Sequence, residues 1–323
     1  MPNLISMLEF EPDRLPELMQ RVQEGRGGLC NAQFLEATAS LGGGEALVQL
    51  GVQGIYWYDQ VLKTRPRYAW MIDLVGAHAQ LPQIAAGLGL GALFFCRNVP
   101  DTKHASWWVD SAGSRLLTIC NPETYVDFPK LFTTTEPLAA DDLEAMQRII
   151  RKKQQQSPSP RLALSLAGSN DYSTAPKRKQ YPAEFLKQWR QRYPDIAIRI
   201  SVPSDYVEAL REQLRTDETQ VEEWEGGTPY AWNAFWVNLP SIKKKNRDSE
   251  HLLLGVEMLM TAASLRADVA YPSQSFADSW INLLMNMDRN VLWGSVAGAP
   301  LYDEQAWNAE DPRPRCAMRA RTL

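Results

Sequence analysis

A chain of 323 residues, 45% hydrophobic and 22% charged, has the composition of an ordinary globular protein with room for a sizeable core. A net charge of −4 and a pI near 5.6 argue against the basic face that a nucleic-acid binder needs. No apolar run is long enough to span a membrane, and the N-terminus lacks the basic and apolar regions of a signal peptide. The four cysteines, Cys30, Cys96, Cys120 and Cys316, form no CxxC pair. Cys96 and Cys120 lie in apolar runs and read as buried free thiols, which fits a reducing, cytoplasmic setting.

In chain order, Leu15, Leu18, Met19 and Val22 recur at helical spacing over 14–23, and Gly25 to Gly28 stop the helix. A short strand is predicted over 29–35. Gly42-Gly43-Gly44 opens a helix to about Leu62; no Gly-Lys-Ser/Thr follows, so this is no phosphate loop. Next come a strand over 68–72, a helix over 80–87 with Pro82 in its first turn, a strand over 92–97, and a strand pair near 107–109 and 115–120. Asp141 and Asp142 are expected to cap a helix running to about 155. Ser157-Pro158-Ser159-Pro160 breaks it. A strand over 161–167, a loop over 168–176, a helix over 183–192, a strand over 197–202 and a helix over 205–214 follow. This alternation predicts an α/β fold with a mostly parallel, barrel-like sheet. After Gly227 the texture becomes helical, with one long helix over 241–266 and another over 275–287. The expected domains are therefore 1–227, α/β, and 228–323, a small helical bundle. The tail from Asp311 is arginine-rich and patternless.

The chemistry-bearing stretch is Trp70 to Ile84. Its strand ends on Asp73, and Gly76 permits a turn before the next helix. Buried strands of α/β enzymes commonly carry catalytic groups at their C-terminal tips. The residue pattern by itself is equally that of a turn or helix-entry aspartate. Asp171, in the loop after the 161–167 strand, is a second such carboxylate, and it too has a plain reading as an Asx-turn residue. Two carboxylates flanking a sugar bond make a glycosidase. Several of the eleven tryptophans sit in polar contexts, among them Trp107, Trp108 and Trp232. They are candidate stacking platforms for a pyranose, with the hydrophobic core as the alternative.

Trp70, Asp73, Gly76 and Gln80-Leu81-Pro82-Gln83-Ile84 resemble the nucleophile segment of the family 38 glycoside hydrolases, the retaining α-mannosidases. The family histidine of that motif is Ala77 here, with His78 one place on. Glu36, Gly44 and Glu45 resemble a second family motif, whose aspartate and asparagine are Thr38 and Ser40 here, with Gln49 in place of a later arginine. Lys243, Arg247, Glu250, Leu253 and Glu257 resemble the helix that opens the family's three-helix middle domain, and 280–294 resembles a third segment. The resemblance runs over about residues 12–310. It implies Asp73 as nucleophile and Asp171 as acid/base, acting on mannosides. Trp70, Trp107, Trp108, Trp232 and Arg289 are the substrate-side candidates.

The resemblance also implies a catalytic zinc, and here the sequence departs. No His-x-Asp motif occurs, the chain is expected to begin after the strand that carries it in the family, and Arg289-Asn290 stands where the family has His-Asp. Arginine stays protonated and cannot ligate zinc. Asp73 is the one surviving ligand candidate, so no tightly bound zinc is expected. Arg289 is expected to reach toward Asp73 in the metal's place. Three readings follow: an α-mannosidase-like retaining hydrolase, a carbohydrate-binding or structural pseudoenzyme on the same scaffold, or an incomplete gene product. Partners are carbohydrates; no nucleic acid or membrane is expected, and a homo-oligomer is left open.

Overall fold

The computed structural model describes residues 2–37, 39–73, 76–97, 104–121, 126–128, 138–159, 161–167, 183–216, 221–228, 234–237 and 240–288. Their helices are α1 (Pro2–Phe10), α2 (Leu15–Gln23), α3 (Gly44–Trp57), α4 (Leu81–Gly87), α5 (Ala140–Gln156), α6 (Ala183–Arg192), α7 (Pro203–Thr216), α8 (Ala234–Val237), α9 (Pro240–Arg266) and α10 (Ser273–Met285). Their strands are β1 (Tyr68–Trp70), β2 (Ala92–Phe95), β3 (Ala105–Val109), β4 (Arg115–Cys120) and β5 (Glu223–Glu225), in the sheet order β1-β2-β4-β3-β5. The pairs β1/β2, β2/β4 and β3/β5 are parallel, and β3/β4 is an antiparallel hairpin. The mostly parallel α/β layer is therefore present. Its central strands are buried on both faces, as their continuous apolar runs require: Leu93, Phe94 and Phe95 of β2, and Leu116 and Leu117 of β4.

The turn of the β3/β4 hairpin is built by Asp110, whose Oδ1 accepts the amides of Ala112 (2.7 Å) and Ser114 (3.2 Å), with Gly113 at φ +85°. Helix α3 continues into a π-helical turn, Tyr58–Leu62, and ends on Lys63 in the left-handed region.

Three predicted strands are not strands. Over 29–35 the backbone turns at Asn31 (φ 72°), and the Phe34 amide bonds the Leu50 carbonyl of α3. Over 161–167, backbone groups that a ladder would use go instead to Asp127 and Lys153. Segment 197–202 is largely exposed, and its Ile198 packs into a helical layer with Trp189 and Ile196. Asp141 and Asp142 do not cap α5. They lie in its first turn, where they favour the helix dipole, and Ala139 holds the cap position. The strand β5 was not predicted.

Helices α9 and α10 share a core with the α/β part. Ile242, Trp280, Leu283, Leu284 and Met287 pack with Phe34, Leu35, Leu47 and Leu50. Across this seam the Gly43 amide donates to Oε2 of Glu250 (2.8 Å), whose carboxylate also holds Arg247 and accepts from Asn246 Nδ2 (2.6 Å). Glu250 is buried, and desolvation pushes its carboxyl above the ordinary value of 4.5 despite these donors. A raised folded-state value means that folding favours the protonated form. The stability from Glu250 is then fullest below pH 4.5 and is lost as pH rises through the raised value. Unfolding free energies of the native chain minus those of Glu250→Gln should therefore fall from mildly acidic to neutral pH. A flat difference would mean that Arg247 and Gly43 cancel the burial cost.

Candidate functional site

The register of β1 on β2 sets Tyr68 opposite Ala92 and Trp70 opposite Phe94. The ladder continues past both strand ends, through Met71 N to Phe94 O (2.9 Å) and Cys96 N to Ile72 O (3.0 Å). Carried on, the same register puts Asp73 opposite Arg97. Arg97 Nε donates to Asp73 Oδ1 in a close ion pair, with side-chain exposures of 34% and 16%. From the other side, the backbone amide of Asp73 donates to Glu36 Oε1 at 2.8 Å. Glu36 adjoins Ala37, which bridges antiparallel to Asp288. The end of α10 thus arrives beside the segment that touches Asp73. The described centre of the site is Glu36, Asp73 and Arg97 at the C-terminal edge of parallel strands, where α/β folds collect ligands.

The loop after Asp73 is fixed from across the fold. Thr228 Oγ1 accepts the Ala77 amide at 2.7 Å, and the Thr228 amide returns to Ala77 O at 3.1 Å. A Cβ on Gly227 would stand 2.7 Å from that carbonyl, so glycine is required there. His78 is exposed, and its Nδ1 accepts the Gln80 amide (3.1 Å) at the entry of α4.

A buried polar cluster lies past the end of β4. Lys153 Nζ on α5 donates to Asn121 Oδ1, to Asp127 Oδ2 (2.7 Å) and to Leu164 O (3.2 Å). Asp127 also accepts the Leu166 amide (2.7 Å) and both Asn121 contacts (3.3 Å). All three ammonium protons are used. The cluster joins the end of β4 to 161–167, the segment that leads toward Asp171.

Of the predicted site residues, Asp73 sits at the centre. Trp70 is half-buried against Phe94, with ring centroids 5.3 Å apart. Trp107 is half-buried, with the Arg115 guanidinium 4.8 Å from its ring centroid. Trp108 is a correction: it is fully buried, stacked on Trp224 at 4.4 Å and bonded through Nε1 to Gly226 O, so no ring face is open to a sugar. Asp171, Trp232 and Arg289 lie outside the described residues. Glu36 entered the sequence reading only as a motif match, and Arg97 not at all. Arg97 meets Asp73 only through the 24-residue register of β1 on β2, which no local pattern in the sequence carries.

Among the described residues, no group of three or more His, Cys, Asp or Glu side chains could hold a metal ion. Asp73 faces a guanidinium, and Glu36 accepts a backbone N–H. This donor set does not fit zinc.

A mostly parallel sheet with a carboxylate at a strand tip is an α/β scaffold of the kind on which many enzymes place their sites. The N-terminal domain of the glycosyl hydrolases family 38 matches residues 7–227, and the chain belongs to that family. It is 26% identical over 302 residues to alpha-mannosidase 2C1 of Homo sapiens, covering 89% of this chain and 27% of that protein. The Mus musculus alpha-mannosidase 2C1 is likewise 26% identical, over 93% of this chain and 28% of its own length. The chain thus spans little more than a quarter of these relatives. In fold it is similar to an alpha-mannosidase from Enterococcus faecalis V583, with a TM-score of 0.72 at 16% identity, covering 89% of this chain and 32% of that one. It is more distantly similar to a GH57 branching enzyme from Thermococcus kodakaraensis, with a TM-score of 0.51 at 12% identity, covering 90% and 66%.

Proposed function

We propose that the site is directed at α-mannosides and is built for retaining, two-carboxylate hydrolysis, with Asp73 as nucleophile and Asp171 as acid/base. The observation that carries this reading is Asp73 itself. It stands at a strand tip, held by Glu36 through its amide and by Arg97 through its carboxylate. Such two-sided fixing is the preorganisation that attack at an anomeric carbon needs. The names of the relatives supply the sugar. Trp70 and Trp107 are the stacking candidates, and Arg289, next in sequence to Asp288, is the candidate second cation for sugar hydroxyls. The reading includes a boundary near residue 227 between the α/β and helical parts.

A second reading, binding without hydrolysis, is favoured by the guanidinium on the Asp73 carboxylate. An ion pair on Oδ1 makes the carboxylate a weaker nucleophile, while the same fixing suits a binding site. Two measurements on the purified chain separate the readings: calorimetric binding of methyl α-mannoside, and release of aryl alcohol from an aryl α-mannoside. Turnover abolished by Asp73→Asn supports the hydrolase. Binding without turnover supports the second reading. Neither binding nor turnover overturns both.

A further inference from the structure

Among the described residues, the C-terminal half of α9 carries an anomalous apolar surface. Leu252 is 69% exposed, Met258 69%, Leu259 70%, Leu265 81% and Val256 40%. A helix this apolar around its circumference is ordinarily buried. The body of the protein takes one face, through Ile242, Asn246, Glu250 and Leu253. The opposite face carries Asp248, Leu252, Gly255, Leu259, Ala262 and Arg266, spaced alternately by four and three residues. That is the a/d seam of a two-helix coiled coil, and Val256, Ala263, Met258 and Leu265 fall at the positions that flank such a seam.

We propose that this face is the interface of a homodimer, in which α9 packs antiparallel on α9 of a second copy of this chain. The seam is complementary to itself. A two-fold axis beside residue 257 sets Asp248 of one copy against Arg266 of the other, at both ends. The same axis sets Leu252 against Ala262, and Leu259 against Gly255. Large side chains therefore meet small ones, and opposite charges meet at the rims. A Cβ at Gly255 would meet nothing within 4 Å, which leaves bare backbone for Leu259 of the second copy to approach. Asp248 holds Lys244 at 2.5 Å within its own chain, and both side chains are exposed, so that pair can be shared. The five exposed apolar side chains offer roughly 500 Å² and, with the small and charged seam positions, approach the ~800 Å² per partner of a standard interface.

The test is sedimentation of the full chain at several concentrations. A dimer is expected. Leu259→Glu should make it monomeric with an unchanged circular dichroism spectrum. Asp248→Arg alone sets Arg against Arg twice, and Arg266→Asp alone sets Asp against Asp twice. Each should weaken dimerisation by at least about tenfold. Mixing these two variants should restore a dimer containing one copy of each. This arm keeps the test valid if Leu259→Glu fails to fold. A monomeric native chain overturns the proposal. So does a dimer indifferent to the charge reversals, which would place the interface elsewhere.

Discussion

Replacing Lys153 with methionine should cost about 3–5 kcal/mol of folding stability, the loss expected when one partner of a buried ion pair is removed. Methionine keeps the length of the stem and removes the charge, so packing changes little. Asp127, whose side chain is 3% exposed, would keep only the Leu166 amide and the Asn121 contacts. A carboxylate so placed must either stay charged without a counter-ion or take up a proton. Leu164 O and Asn121 Oδ1 would each lose their Lys153 donor. Urea unfolding of Lys153→Met would measure the loss. Adding Asp127→Asn should recover part of it, because the orphaned charge is gone. A loss below about 1 kcal/mol would show the pair to be hydrated rather than buried.

Gly54→Ala should be costly for a different reason. On α3, a Cβ at position 54 would lie 2.0 Å from the Ala32 carbonyl oxygen and 3.0 Å from the Phe34 amide nitrogen. Both are backbone atoms, and the Phe34 amide is already tied to Leu50 O on the same helix. The 32–34 segment cannot move away without dragging Glu36, whose carboxylate receives the Asp73 amide. Overpacking of this kind costs about 3 kcal/mol, against the small gain alanine brings in helix propensity. Thermal melts of Gly54→Ala beside Gly51→Ala would check the assignment. At Gly51 the intruding atoms are the ends of the Leu88 side chain, which can turn aside, so the effect should be smaller.

The helices were the legible part of the sequence. Those over 183–192 and 240–266 follow from side-chain period, which a long element repeats many times. The short buried strands at 68–70 and 92–95 were legible as apolar runs. The segments 29–35 and 161–167 carry the same kind of run, yet their backbones bond to Leu50, Lys153 and Asp127. Hydropathy does not distinguish a ladder partner from a side chain. Asp73 was legible because a strand tip and a glycine turn are local. Arg97 was not, because its role comes from register between strands. Trp108 was misjudged as a sugar platform. Its polar neighbours in sequence say nothing of Trp224, which covers it from β5.

The shared packing of α9 and α10 with α3 bears on how the chain is made. The bond from Gly43 to Glu250 closes a separation of 207 residues, and Ala37 finds its bridge only at Asp288. Leu47 and Leu50 complete their burial against Trp280 and Leu284. During synthesis, the first sixty residues therefore wait for most of the chain to leave the ribosome before their core can close. Contacts so distant in sequence slow folding and leave apolar surface uncovered meanwhile. A nascent chain stalled before residue 240 should be a protease-sensitive chaperone client, and one stalled with 288 well clear of the exit tunnel should resist digestion.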